Sequence, residues 1–122
     1  MTESRVLASR AARAASAKQG EDIVILDVRE LITITDYFVV VSGTSDRQVK
    51  TLAEEVEKAV KDDGVKPVRV EGEPETGWLL LDYVDFVVHV FREAERDYYR
   101  LESLWADAPR VEWKENADLS SR

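Results

Sequence analysis

Trp78-Leu79-Leu80-Leu81-Asp82-Tyr83-Val84-Asp85-Phe86-Val87-Val88-His89-Val90-Phe91 is the stretch whose reading decides the fold. It reads as a β-hairpin. A two-residue connection at Tyr83 and Val84 pairs Asp82 with Asp85, Leu80 with Val87 and Trp78 with His89. Side chains alternate along a strand with period two, so a loop differing by an even number of residues keeps the same faces. One face holds Leu79, Leu81, Phe86, Val88 and Val90, all apolar, and is the core side. The other holds Trp78, Leu80, Asp82, Asp85, Val87, His89 and Phe91. A covering helix tolerates the two acids only at its rim, and water does not suit Trp78, Leu80 and Phe91 together. An interface resolves both tensions, since aromatic anchors ringed by polar groups are what hot spots contain. The alternative is that the first or last helix covers this face and leaves the acids at the turn. The turn has neither glycine nor asparagine, so its type stays open while its parity does not.

Upstream, Val68-Arg69-Val70 alternates as a short strand near an edge, and Glu71 to Gly77, with Gly72 and Pro74, reads as an acidic loop. Before it, Val49, Leu52, Ala53, Val56, Ala59 and Val60 share one helical face over residues 46–62. Ser45 and Gln48 form a capping box at its start and Gly64 closes it. Ile23–Val28 and Tyr37–Val41 are apolar on both faces, as central strands are. Residues 4–18 form a first helix with Val6, Leu7, Arg10, Ala11, Ala14, Ala15 and Lys18 on one stripe and Gly20 as its stop. Downstream, Ala94, Tyr98, Leu101, Leu104, Trp105 and Ala108 mark a last helix that Pro109 ends. The order is helix, strand, strand, helix, three strands, helix. It predicts an α/β domain over residues 1–109, a mixed sheet of about five strands with helices packed on it, and a loose polar tail over 110–122 on which only Trp113 is able to dock.

A chain of 122 residues suits one domain, and 44% hydrophobic content supports a core without staples. The absence of cysteine removes disulfides, thiolate nucleophiles and cysteine-held metals. No apolar run approaches the roughly 18 residues of a membrane span, and the start lacks the apolar stretch of a secretory signal, so a soluble cytoplasmic protein is expected. The net charge is −8, of which the first twenty residues hold +3. Such a surface repels phosphate backbones and either suits docking on a basic protein or simply keeps the protein soluble.

Catalytic readings find little support. His89 is the only histidine and has no serine or acid at motif spacing. Asp82 and Asp85 share its face, which shows proximity and no metal set. Ser42-Gly43-Thr44-Ser45 precedes a helix and resembles a phosphate cradle, but it lacks the lysine of a nucleotide loop and the glycines of a dinucleotide fingerprint. Its capping role accounts for it. A nucleotide-binding or nucleotidyl-transferring enzyme built on Ser42–Ser45 is the alternative function.

Several segments together resemble a known family. They are Asp22-Ile23 to Asp27-Val28, Thr35-Asp36-Tyr37-Phe38-Val39-Val40-Val41-Ser42-Gly43, Ser45 with Arg47-Gln48-Val49, Glu71-Gly72, and Gly77-Trp78. They continue through Leu80-Leu81-Asp82-Tyr83, Asp85, Val88-His89-Val90-Phe91, Arg96, Tyr99, Leu101-Glu102, Leu104-Trp105 and Ala108. In this order and spacing, over about residues 4–108, the chain resembles the ribosomal silencing factors, also called Iojap-like proteins. The resemblance implies a non-enzymatic translational repressor without cofactor or metal. Such proteins bind a basic protein of the large ribosomal subunit, the fourteenth by its usual numbering, and make little direct RNA contact. They sterically block the small subunit from joining when nutrients run short, and they tend to be homodimers when unbound. The implied fold is similar to the nucleotidyltransferase fold without its catalytic carboxylates. On that basis Trp78, Leu80 and Tyr83 are the expected anchor, Asp82 and Asp85 face the partner's arginine or lysine, and His89, beside Trp78, belongs to the same ribosome-binding set. Trp78, Phe91, Tyr98 and Trp105 are the expected dimer contacts. One departure is Val84, which stands where the family usually has glycine.

Overall fold

The structure, a computed structural model, describes residues 4–100, 103 and 105–114, with the backbone alone at 98 and 99. Leu101, Leu104, the Tyr98 side chain and the tail beyond residue 114, all named above, lie outside the described residues. The elements are α1 (Ser4–Ala17), β1 (Glu21–Asp27), β2 (Tyr37–Gly43), α2 (Asp46–Asp62), β3 (Arg69–Glu73), β4 (Trp78–Asp82), β5 (Phe86–Arg92) and α3 (Glu93–Tyr99). One 3-10 turn, Pro74–Thr76, joins β3 to β4. The order and type of the elements are those expected.

The five strands form one sheet in the order β1-β2-β5-β4-β3, with β2 and β5 parallel and the other pairs antiparallel. All seven residues of β2 are buried, which makes it the centre of the fold. β1 is not central, contrary to its apolar pattern. It ends the sheet, but its outer edge is covered: Asp27 N–H donates to Pro109 O at 2.8 Å and Val111 N–H to Ile25 O at 2.9 Å. Leu26 also bridges Arg110. The segment expected to be loose from residue 110 therefore begins as a docked one. Trp113 Nε1 donates to Ile23 O, and Arg13 donates to Trp113 O.

α1 and α2 lie together on one face of the sheet, over Ile25, Val39, Val41, Leu79, Leu81, Val88 and Val90. α2 buries Val49, Leu52, Ala53, Val56 and Val60, as its periodicity demands. Its cap is half the expected box. Gln48 N–H donates to Ser45 Oγ at 3.1 Å, while the return bond from Gln48 Oε1 is taken by Thr44 N–H, not by Ser45. α1 is rotated from the expected stripe: Leu7, Ala8, Ala11, Ala12 and Ala15 are buried and Val6 is exposed. Alanines lie on both flanks of that stripe, and small residues permit the closer approach. Gly20 closes the helix through its N–H, which donates to Ala15 O at 2.9 Å, and glycine is required there by packing. Gln19 takes the left-handed turn (φ 66°), and a Cβ on Gly20 would lie 2.8 Å from Val41 Cγ1.

The second face of the sheet is divided. Phe38, Val40, Leu26, Val28 and Phe91 are buried there with Ala108, and Trp105 packs its ring 5.8 Å from Phe38. Towards β4 and β3 this cover ends. Trp78, Leu80 and Val87 are only partly buried.

Candidate interaction face

The hairpin connection is Val84-Asp85, one residue later than expected, so the register shifts by two. Trp78 opposes Phe91, Leu80 opposes His89 and Asp82 opposes Val87. The parity, and hence the faces, are those expected for the strand residues. The physical reason for the shift lies in the turn. Tyr83 N–H donates to Phe86 O and Asp85 N–H to Tyr83 O, both at 2.9 Å, with Val84 between them at φ 73°. Asp82 Oδ1 accepts from Val84 N–H at 2.8 Å and fixes this turn from the strand side.

β3 extends through Glu73, where a loop from Glu71 was expected. Glu71 pairs with Leu80 and Glu73 with Trp78, so Arg69, Glu71 and Glu73 share the second face with Trp78, Leu80 and Asp82. Their alternation with Val70 and Gly72 was the available signal. Gly72 disguised it: the residue sits at φ 87°, and a Cβ there would lie 2.1 Å from Trp78 O. No other residue fits so close a strand crossing.

Of the expected site residues, Trp78 and Leu80 lie side by side on this face. Trp78 stacks on Phe91 with centroids 5.0 Å apart, and its Nε1 donates to His89 Nδ1 at 3.2 Å. His89 is only 6% exposed and meets the Phe38 ring edge-on at 5.0 Å. Burial pushes its pKa down to about 4, so the imidazole is neutral. With Nδ1 accepting, the proton sits on Nε2, which has no partner among the described residues. His89, expected among the partner-binding residues, therefore lies beneath Trp78 and positions it. Phe91, expected at a dimer contact, is fully buried, and Trp105 covers Phe38.

Asp82 is engaged internally. Besides capping Val84, it takes Arg69 Nη2 at 2.8 Å on Oδ2. Arg69 reaches Glu71 as well, at 3.4 Å from Nε. Tyr83 does not join the face. It lies 6% exposed on the helix-covered side, stacked on Phe86 at 4.6 Å, and burial raises its phenol pKa. Asp85 is exposed at the turn, and its carbonyl accepts from Asp36 N–H.

The Ser42–Ser45 loop is occupied by the fold. Arg96 Nη1 donates to Ser42 Oγ at 2.8 Å, and Thr44 Oγ1 donates to Gln48 Oε1 at 3.0 Å. Among the described residues no three histidine or acidic side chains gather as metal ligands, and no helix is long and apolar enough to cross a membrane.

The fold and this face define a class: an α/β domain that presents one half-covered sheet face, an apolar strip along β4 and β5 with an acidic border on β3. Comparison with known proteins makes the class specific. The profile of the family described as ribosomal silencing factor during starvation matches residues 1–122, and this chain belongs to that family. A ribosomal silencing factor of Bacillus subtilis is 43% identical over 99 residues, covering 81% of this chain and 84% of that protein. The one from Halalkalibacterium halodurans is 41% identical over 102 residues, covering 84% and 87%. A crystal structure of a protein from Chromobacterium violaceum superposes with a TM-score of 0.82 at 39% identity, covering 86% of this chain and 88% of that one.

Proposed function

We propose that the protein represses translation by binding the large ribosomal subunit through a basic ribosomal protein, the fourteenth of that subunit, and by obstructing the small subunit sterically when nutrients run short. The observation that supports this reading is the half-covered face itself, where partly exposed Trp78, Leu80 and Val87 adjoin Glu71 and Glu73. An apolar strip supplies affinity and an acidic border on a chain of net charge −8 selects a basic partner. Trp78 is the anchor, held in one orientation by Phe91 and His89, and an anchor ordered before binding loses little rotamer freedom on binding. In the cytoplasm, away from ribosomes, the protein pairs as a homodimer, and if two copies meet through the same strip the dimer parts before the complex forms.

Sucrose-gradient sedimentation with isolated large subunits, followed by addition of small subunits, tests the reading. The wild type is expected to travel with large subunits and to reduce joining. Trp78→Ala is expected to weaken binding by about 2 kcal/mol, the scale of a hot spot. Binding that leaves joining unchanged would refute steric obstruction, and wild-type binding by a folded Trp78→Ala variant would refute the face.

A further inference from the structure

Beside Trp78 the sheet has a cleft of about 230 Å³, lined by Glu71, Gly72, Thr76, Trp78 and Leu80. It lies between β3 and β4, at the acidic border of the strip. Its walls are an indole and a leucine, and a carboxylate stands at its rim. We propose that this cleft is the socket for one arginine side chain of the basic partner. The inference rests on the ribosome-binding reading and names the group recognised there.

The chemistry favours arginine over other occupants. An apolar side chain would fill the walls but strip water from Glu71 without replacing its hydrogen bonds. A phosphate would meet Glu71, Glu73 and Glu75 and be repelled. A lysine ammonium satisfies one carboxylate oxygen as a point charge, whereas a planar guanidinium stacks on an indole and forks onto a carboxylate at once. Its aliphatic stem also suits Leu80. Glu71 retains capacity for such a bond. Its contact with Arg69 is long, 3.4 Å, and both side chains are more than half exposed, so that pair is weak and the carboxylate has acceptor sites to spare. Arg69 shows that these acids accept a guanidinium within the chain, with single contacts to Glu71 and to Asp82.

Two measurements test the socket, both on the full chain. The first follows the Trp78 indole N–H by NMR during titration with N-acetyl-arginine amide, against the neutral citrulline amide and the lysine amide. The expected result is a saturable shift with arginine, weaker with lysine and absent with citrulline. The second compares large-subunit binding of Glu71→Gln with that of Glu57→Gln on α2, both checked for folding by circular dichroism. Glu71→Gln is expected to bind about tenfold more weakly and Glu57→Gln as wild type. Equal binding by both variants overturns the socket and leaves the ribosome-binding reading standing. Loss of binding without any arginine-specific shift also overturns it, since Glu71 then acts as border charge alone. If the wild type fails to bind large subunits, the ribosome-binding reading falls, and the titration alone decides the socket: an arginine-specific shift keeps it, and equal or absent shifts remove it.

Discussion

His89 ties the candidate face to the stability of the fold, and pH exposes the connection. The folded chain holds this imidazole neutral with a pKa of about 4, against 6.5 for an unperturbed histidine, because it is buried between Trp78 and Phe38. The unfolded chain accepts the proton that the folded chain refuses. The contribution to stability is therefore complete above pH 6.5 and is lost as pH falls from there through 4. Proton linkage over that interval gives a loss of about 2 kcal/mol between pH 7 and pH 5. That is a large part of the roughly 5–15 kcal/mol by which such domains are stable. Urea unfolding followed by far-UV circular dichroism at the two pH values measures it. The comparison is with His89→Asn, whose Oδ1 replaces Nδ1 as acceptor for Trp78 Nε1 and which does not titrate. Carboxylates contribute equally to both proteins, so the histidine remains in the difference. The wild type is expected to lose about 2 kcal/mol more than the variant on going from pH 7 to pH 5. Equal losses would show that His89 titrates as if exposed, and the buried, neutral support for Trp78 would have to be abandoned.

Substitutions at two positions address the turn. Val84 is a β-branched residue at φ 73° and 52% exposed, so Val84→Gly removes backbone strain and little packing. Left-handed strain of about 1–3 kcal/mol, less roughly 0.5–1 kcal/mol for glycine's extra chain entropy, predicts a more stable protein by about 1 kcal/mol and a higher Tm; an unchanged or lower Tm would contradict it. Asp82→Asn keeps an acceptor for Val84 N–H but loses the Arg69 ion pair, and should cost less than about 1 kcal/mol. Asp82→Ala removes the turn bond as well and should cost clearly more by urea unfolding, whereas equal costs would deny the turn bond any weight.

Parity and register separate cleanly in this hairpin. The apolar alternation of Leu79, Leu81, Val88 and Val90 determines which side faces α1 and α2, and it was legible because a one-residue slip would turn one strand's core residues outward. A two-residue slip exposes none. The choice between Tyr83-Val84 and Val84-Asp85 as the connection falls to one Asp82 hydrogen bond and one strained φ, effects too small and too local for a count of apolar residues. β1 and α1 illustrate the same limit. Ile23–Val28 is apolar because both faces of the strand are covered, Ile25 on the helix side and Leu26 with Val28 on the other, while residues 109–111 pair with its backbone edge; a strand's pattern does not report who its neighbour is. The alanines around α1 admit more than one buried stripe, and the rotation is decided by contact with the sheet.

The polar residues of the candidate face had roles that sequence could not assign. Asp82 and His89 have the chemistry of recognition, yet both are used within the chain, one to hold the turn and the other to hold Trp78. On the proposed reading, Glu71 and Glu73, on a strand that read as a loop because Gly72 interrupts it, join the exposed Asp85 in meeting a basic partner. That location has a physical logic of its own. β3 is an edge strand, exposed along its whole length, and charged side chains on an edge discourage pairing with other strands. The same acids that keep the edge from unwanted sheet extension border the apolar strip and give it a preference for positive charge. On the proposed reading the hairpin supplies the anchor, and specificity comes from the edge strand beside it.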